Sequence, residues 1–329
     1  MELLNPMFMK NSFSISSLGK NAFERINRFS LLIAFLSICV GIASINPVFL
    51  STENMINILV QATITSIIAF GMTLVIITGG IDLSVGSIVA FTGVILGLVL
   101  EKGYSIFLAV IICLISGIII GFINGALITK WKVPPFIATL GMMSVARGAA
   151  LTLTQGRSIS GFSDSFLSIA DKSFFLPIPV GIMIIVFLFT YIFTKYTYWG
   201  HYLYAIGGNK RAAWLAGIRI KFYTIVAYSF CGLFSAIGAI ILTSRLNSAQ
   251  PIAGNFYELD TIAAVVIGGA SLNGGTGTII GTFIGALTLT VLKNGMSILN
   301  VSSYIQQIII GSIIIIAVLI DKYKQPNSF

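Results

Sequence analysis

Side chains able to do covalent chemistry are scarce in this sequence, and those present are badly spaced for it. His201 is the one histidine, which excludes a two-histidine metal site. Cys39, Cys113 and Cys231 each fall inside an apolar run, where a thiol behaves as a small hydrophobe. Three cysteines at these separations give neither a disulfide framework nor a zinc spacing. No nucleophile stands beside a base, and no group of acids has metal-ligand spacing. A GxxxxGK[ST] phosphate loop is missing as well: Gly19-Lys20-Asn21 lacks the upstream glycine and the following Ser or Thr. The chain is expected to carry no catalytic residue, no metal and no cofactor of its own. Any ATP it depends on must be bound by another polypeptide.

What remains is hydrogen-bonding chemistry inside apolar sequence. Asp82 follows the pair Gly79-Gly80. A carboxylate at the centre of a bilayer helix costs about 2.5–3.5 kcal/mol, so it must be paired, close to a polar surface, or functional. Capping competes with a functional role, because Asp82-Leu83-Ser84 opens the next apolar run, where an acid meets a favourable dipole. Arg147 is a full cation within or near the end of a span. It either pairs with an acid, Glu258 and Asp260 being the candidates, or snorkels to the outer surface. Asn124, Thr139 and Ser271 join Asp82, Glu258 and Asp260 as residues that could line a pathway for a hydroxylated solute; each could equally make a local structural contact.

A second kind of site lies between Trp199 and Lys221, WGHYLYAIGGNKRAAWLAGIRIK, the longest polar and basic passage between two strongly apolar runs. Asn209 can cap a short helix over 210–216, and Gly217 offers the left-handed residue that ends it. Ala212, Ala213 and Ala216 give that helix small residues, on which a partner's side chains can sit closely. The plainer alternative is a basic connector on the positive side of a membrane.

The elements that must hold these residues are membrane helices. Hydrophobic residues make up 57% of the chain and charged residues 9%, against about 25% charged in soluble domains. The fold expected is an all-α integral membrane protein of about ten transmembrane helices, with Gly-broken helices and an internal pseudo-repeat. The spans drawn are 29–46, 55–77, 84–100, 104–128, 135–154, 178–196, 221–244, 258–272, 277–294 and 303–320, the eighth short and opening on Glu258 and Asp260. With the N-terminus inside, the inner segments hold Lys10, Lys20, Arg25, Arg28, Lys130, Lys132, Lys195, Lys210, Arg211, Arg219, Lys221, Lys322 and Lys324. The outer segments hold Lys102, Arg157, Lys172, Arg245 and Lys293, an asymmetry of thirteen against five with Arg147 left inside a span. Both termini and residues 197–220 are then cytoplasmic, and residues 1–28, 29–321 and 322–329 divide the chain into lead, membrane part and tail. The net charge of +9 is spread over these loops rather than gathered in one field, so it does not point to nucleic acid. Two outer passages, 155–177 and 245–257, are longer than a turn requires, and Arg157, Arg245, Asn247 and Gln250 on them are candidates for meeting a partner outside. An echo at an offset of 189 aligns Gly79–Gly86 with Gly268–Gly275; a duplication or the abundance of glycine (33 residues) could each produce it.

The sequence resembles the membrane permease subunit of bacterial ABC importers for ribose and related sugars, from about residue 50 to 321. The pieces that carry this are YAIGGNKRAAWLAGI at 204–218, RLNSAQPIAGNFYELDTIAAVVIGGASLNGGTG at 245–277 and GGIDLSVGS at 79–87, with NGALITKWKVPPFIATLGMM at 124–143 and NGMSILNVSSYIQQIIIG at 294–311. The resemblance implies that Ala205, Gly207, Gly208, Asn209, Ala212, Ala213, Gly217 and Ile218 form the coupling loop that rests in a groove of the ATP-binding subunit. It implies a second permease copy around one pathway, separate ATPase subunits holding ATP and magnesium, and an extracytoplasmic sugar-binding protein, all at the bacterial inner membrane with its lipid. Relatives of this kind import other pentoses, hexoses or autoinducer-2, so the sugar stays open, as does a stand-alone ion-coupled carrier. Residues 1–28 match no motif of the family.

Overall fold

The computed structural model describes residues 31–170 and 176–324. The lead 1–28, Lys172 and residues 325–329 lie outside the described residues. All the substantial elements are helices: α1 (Leu31–Ile45), α2 (Thr52–Ile77), α3 (Val85–Glu101), α4 (Ile106–Thr129), α5 (Pro135–Thr154), the short α6 (Asp164–Leu167), α7 (Ile178–Tyr196), α8 (Tyr198–Gly208), α9 (Lys210–Leu215), α10 (Ile220–Leu246), α11 (Tyr257–Ile267), α12 (Ile279–Ile298) and α13 (Ser303–Lys324). Their ends follow local chemistry. Ser51, Ser105 and Thr278 cap α2, α4 and α12 through side-chain oxygens, while α5 and α7 open on prolines. Six helices, α2, α4, α5, α7, α10 and α12, are long and apolar enough to cross a membrane, and α1, α3 and α13 contribute shorter apolar stretches.

The core sits around α2, α10 and α12, whereas α4, α5 and α7 leave most of their apolar surface outward. Outward apolar surface is what lipid contact requires, so helix packing here depends on close fit rather than on hiding oil from water. Gly117, Gly121 and Gly125 of α4 let its backbone lie against Gly232, Tyr228 and Ile225 of α10.

Two passages depart from simple helical hairpins. After α2, Gly79 takes a left-handed φ of 78°, and Gly79 N and Gly80 N close back on Ile76 O and Val75 O. After α11, Gly269 does the same at φ 89°, with Gly269 N on Val266 O and Ala270 N on Val265 O. These matched caps align Gly79 with Gly269, one residue beyond the offset of 189, because the glycine needed at each is the left-handed one. The second passage follows α10. Asn247 turns left-handed (φ 47°), and Ser248–Ala249 forms a two-residue antiparallel pair with Ile159–Ser160, β1 being Ile159–Ser160 and β2 Ser248–Ala249. The chain then runs along α3, from Ala249 against Gly97 to Gly254 against Gly86, before Phe256 (φ 68°) turns it into α11. Gly86 and Gly97 are about 16 Å apart along a helix. Beyond the exposed residues 245–247, the passage drawn as an outer loop is therefore a re-entrant run of turns along α3, followed by a half-length helix. Irregular backbone at such depth is tolerated where protein buries it. That also explains why the eighth apolar stretch is short: α11 has 11 residues.

Candidate functional site

Three passages drawn as inner loops meet at one end of the bundle. Gly275 N donates to Ile77 O at 2.9 Å, at the end of α2. Gly207, near the end of α8, presses on the same Ile77 carbonyl and on Gly275, and Gly208 also lies against Gly275. The Tyr204 hydroxyl donates to Gly277 O at 2.8 Å, and burial pushes its phenol above the usual value, which keeps the donor proton in place. The end of α8 is thus joined, backbone to backbone, to both Gly-broken passages. A Cβ on Gly207 would collide with Ile77 O.

From that junction α9 projects. Asn209 caps it, its Oδ1 accepting from Ala212 N at 2.9 Å, and Gly217 (φ 79°) ends it, with Ile218 N closing on Ala213 O. Of the candidate coupling residues, Asn209 and Ala212 are exposed, Ala205 and Ile218 are half-buried, and Ala213 is only 4% exposed, packed on its own chain. The side chains that α9 offers outward are larger than its alanines suggest: Trp214 is 67% and Leu215 72% exposed. Helix α8 is not among the elements drawn from the sequence, although Thr197, whose Oγ1 accepts from Gly200 N, is a legible cap.

The second cluster lies inside the bundle, where the N-terminal ends of α3 and α11 meet through Gly86 and Gly254. Asp82 is fully buried, and its Oδ1 accepts from both the N–H and the hydroxyl of Ser84, a local Asx turn ahead of α3, whose own cap residue Ser84 makes no side-chain cap bond. Asn124 Nδ2 donates to the same Ser84 hydroxyl at 2.9 Å, and the Thr139 hydroxyl lies 3.3 Å from Ile81 O. The Tyr228 hydroxyl reaches Ile81 O at 3.3 Å, from a position roughly 12 Å along α10. Asp82, Asn124 and Thr139 thus converge on one break, with Ser84 and Tyr228 as members that residue type alone does not reveal. Asp82 Oδ2 and Asn124 Oδ1 are buried acceptors without a hydrogen-bond partner among the described residues.

Ser271 belongs to the other break: its hydroxyl lies 3.3 Å from Asn273 N, the counterpart of the Asp82–Ser84 turn. Glu258 is half-buried against Gly86, and Asp260 pairs with Lys293 of α12. Arg147 does not form its salt bridge with either acid. Its Nη1 donates to Pro251 O at 2.8 Å and Ala253 O at 2.7 Å, holding the re-entrant segment, while Glu258 adds a longer-range attraction. At the opposite end from α9, Arg157 and Arg245 are exposed, Asn247 Oδ1 accepts from Phe162 N at 3.1 Å, and Gln250 is half-buried.

Half-helices whose N-termini meet inside a membrane bundle, with polar groups gathered at the breaks, are a transporter's architecture. Over residues 54–318 the sequence matches the family described as the permease component of branched-chain amino acid transport systems, and the chain belongs to that family. Several relatives similar to it are named for sugars. It is 44% identical to the ribose import permease protein of Haemophilus influenzae, over 96% of this chain and 98% of that one. It is 47% identical to the ribose import permease protein of Bacillus subtilis, over 88% and 91%, and 37% identical to the D-allose transport system permease protein of Escherichia coli K12, over 87% and 89%. No solved structure matches the chain.

Proposed function

We propose that this chain is the membrane-spanning permease of an ATP-driven importer for a monosaccharide, D-ribose in the first place. The observation that carries this is the 44% identity, end to end, with a ribose import permease. A mere fold likeness would not extend through the loops as well as the helices. On this reading the chain crosses the bacterial inner membrane ten times, the crossing at α11 being completed by the re-entrant segment, with both termini and α8–α9 in the cytoplasm. The lysine and arginine asymmetry supports that orientation. A second copy of the chain completes the pathway, ATPase subunits carrying ATP and magnesium dock on α9, and a sugar-binding protein delivers solute from outside, near Arg157, Arg245, Asn247 and Gln250.

The mechanism rests on the joints. ATP-driven closure of the ATPases moves α9. Because Gly207 and Gly208 pack on Ile77 and Gly275, that motion reaches the ends of α2 and of the loop after α11 without a flexible side chain between. Both breaks shift, and the contact of α3 with the re-entrant segment changes with them. The pathway needs only weak, transient acceptors for sugar hydroxyls, such as Asp82 and Asn124 with Thr139, Glu258, Asp260 and Ser271 along it, since the binding protein supplies selection. The test is uptake of labelled sugar by proteoliposomes holding the permease, its ATPase and its binding protein. Uptake of D-ribose that requires ATP and all three components is expected. Uptake by the permease alone would overturn the coupling, and preference for D-allose or L-arabinose over D-ribose would overturn the sugar.

A further inference from the structure

Beside α9 a cavity of about 870 Å³ opens between that helix, the turn from α4 to α5 and the first turn of α10. Lys132, Lys210, Arg219 and Lys221 stand on its wall, and no acid does. The salt bridge among the described residues, Lys293 with Asp260, lies on other helices, so none of these four cations has an acid of its own. The rest of the lining is largely apolar, with Val133 and Trp214 on facing sides.

We propose that this cavity receives an acid-bearing lobe of the ATPase, distinct from the groove that takes α9, so that the motor grips the permease at two places. This rests on the coupling reading of α9. The complement to four unpaired cations on apolar walls is a carboxylate carried on an apolar stem. Lys210 and Trp214 belong both to α9 and to the cavity, so whatever seats on α9 covers the mouth of the cavity. Two points of grip also change what is transmitted. Val133 N is tied to Leu127 O at 3.1 Å and α5 begins two residues later, so a lobe in the cavity bears directly on the helix that carries Arg147. The motor then drives α5 and the α8 junction against one another rather than pushing on α9 alone.

The experiment uses the permease assembled with its own ATPase in lipid nanodiscs, with the photoreactive residue p-benzoylphenylalanine at Val133 or at Leu215 and adducts identified by peptide mass. Both positions should capture the ATPase, Val133 through a peptide bearing Asp or Glu. Capture at Leu215 alone overturns this inference and leaves the coupling reading standing; capture at neither overturns both. A phospholipid adduct at Val133 assigns the cavity to the membrane instead and also overturns it. Independently, Lys132→Glu with Lys221→Glu should weaken ATPase association about tenfold, with yield and elution of the permease unchanged. Unaltered association in that properly folded variant counts against the second grip.

Discussion

Arg147 shows how a lone charge is used in an apolar setting. It sits on α5, yet both of its close hydrogen bonds go to backbone carbonyls of another passage, Pro251 and Ala253. Charge-assisted hydrogen bonds are stronger than neutral ones, and removing the donor leaves two part-buried acceptors unsatisfied, at no more than about 1–3 kcal/mol each. Arg147→Leu is therefore expected to lower the melting temperature of the detergent-solubilised permease and to cut uptake at least tenfold, with Arg147→Lys between the two. Wild-type melting and uptake in Arg147→Leu would show that the re-entrant segment holds itself. The sequence makes the demand for a partner legible but points to Glu258 and Asp260, because only side chains advertise charge. A carbonyl partner leaves no mark in residue type, and Asp260 is already taken by Lys293. Asp82 is more transparent. Its position two residues before Ser84 is the spacing of an Asx turn, which it adopts, while α3 itself starts without a side-chain cap.

At the scale of elements, most boundaries can be read directly, and α5 and α7 start where drawn because proline fixes their first turn. What cannot be read is which turns are deep. The passage 245–257 has the glycine, proline and polar content of a surface loop, and its descent along α3 depends on Gly86 and Gly97 giving room. Helices α8 and α9 offer the sharpest contrast for experiment. Gly207 faces the chain itself, whereas Leu215 faces outward, so damage to them should differ in kind. Gly207→Val is expected to keep ATPase association within about twofold while uptake falls at least tenfold, since the added methyls act on the joint at Ile77 rather than on the docking face. Leu215→Asp is expected to abolish association itself, because it places a charge at an apolar contact. If both variants lose association equally, the division of α8–α9 into joint and docking face is wrong. Ala213, small and suggestive in the sequence, is less suitable for such a test, because an acid there would first disturb its own packing.

For the molecule as a whole, contacts and charge distribution agree. Loops that the lysine and arginine count puts on one side touch one another, as Ile77 touches Gly275 and Ile159 pairs with Ala249. Contacts sort helix ends into two groups, but only charge says which group faces the cytoplasm. A membrane-impermeant thiol reagent resolves this in intact cells: with Cys39 changed to serine, Gly156→Cys should be labelled and Ala216→Cys only after permeabilisation. The reverse pattern would invert the molecule and remove α9 from reach of any cytoplasmic motor.

The meeting of Gly86 with Gly254 also sets a schedule for biogenesis. The polar turn ahead of α3 enters the bilayer early in synthesis, whereas the segment that lies beside it is made about 170 residues later, by the difference of those two positions. Until the ribosome has delivered that segment, Asn124 of α4 can already bond Ser84, but the side of the bend at Gly86 still lacks the neighbour that covers it. Completion of α10 and of the segment after it is thus the step that covers the Gly86 side of the early half.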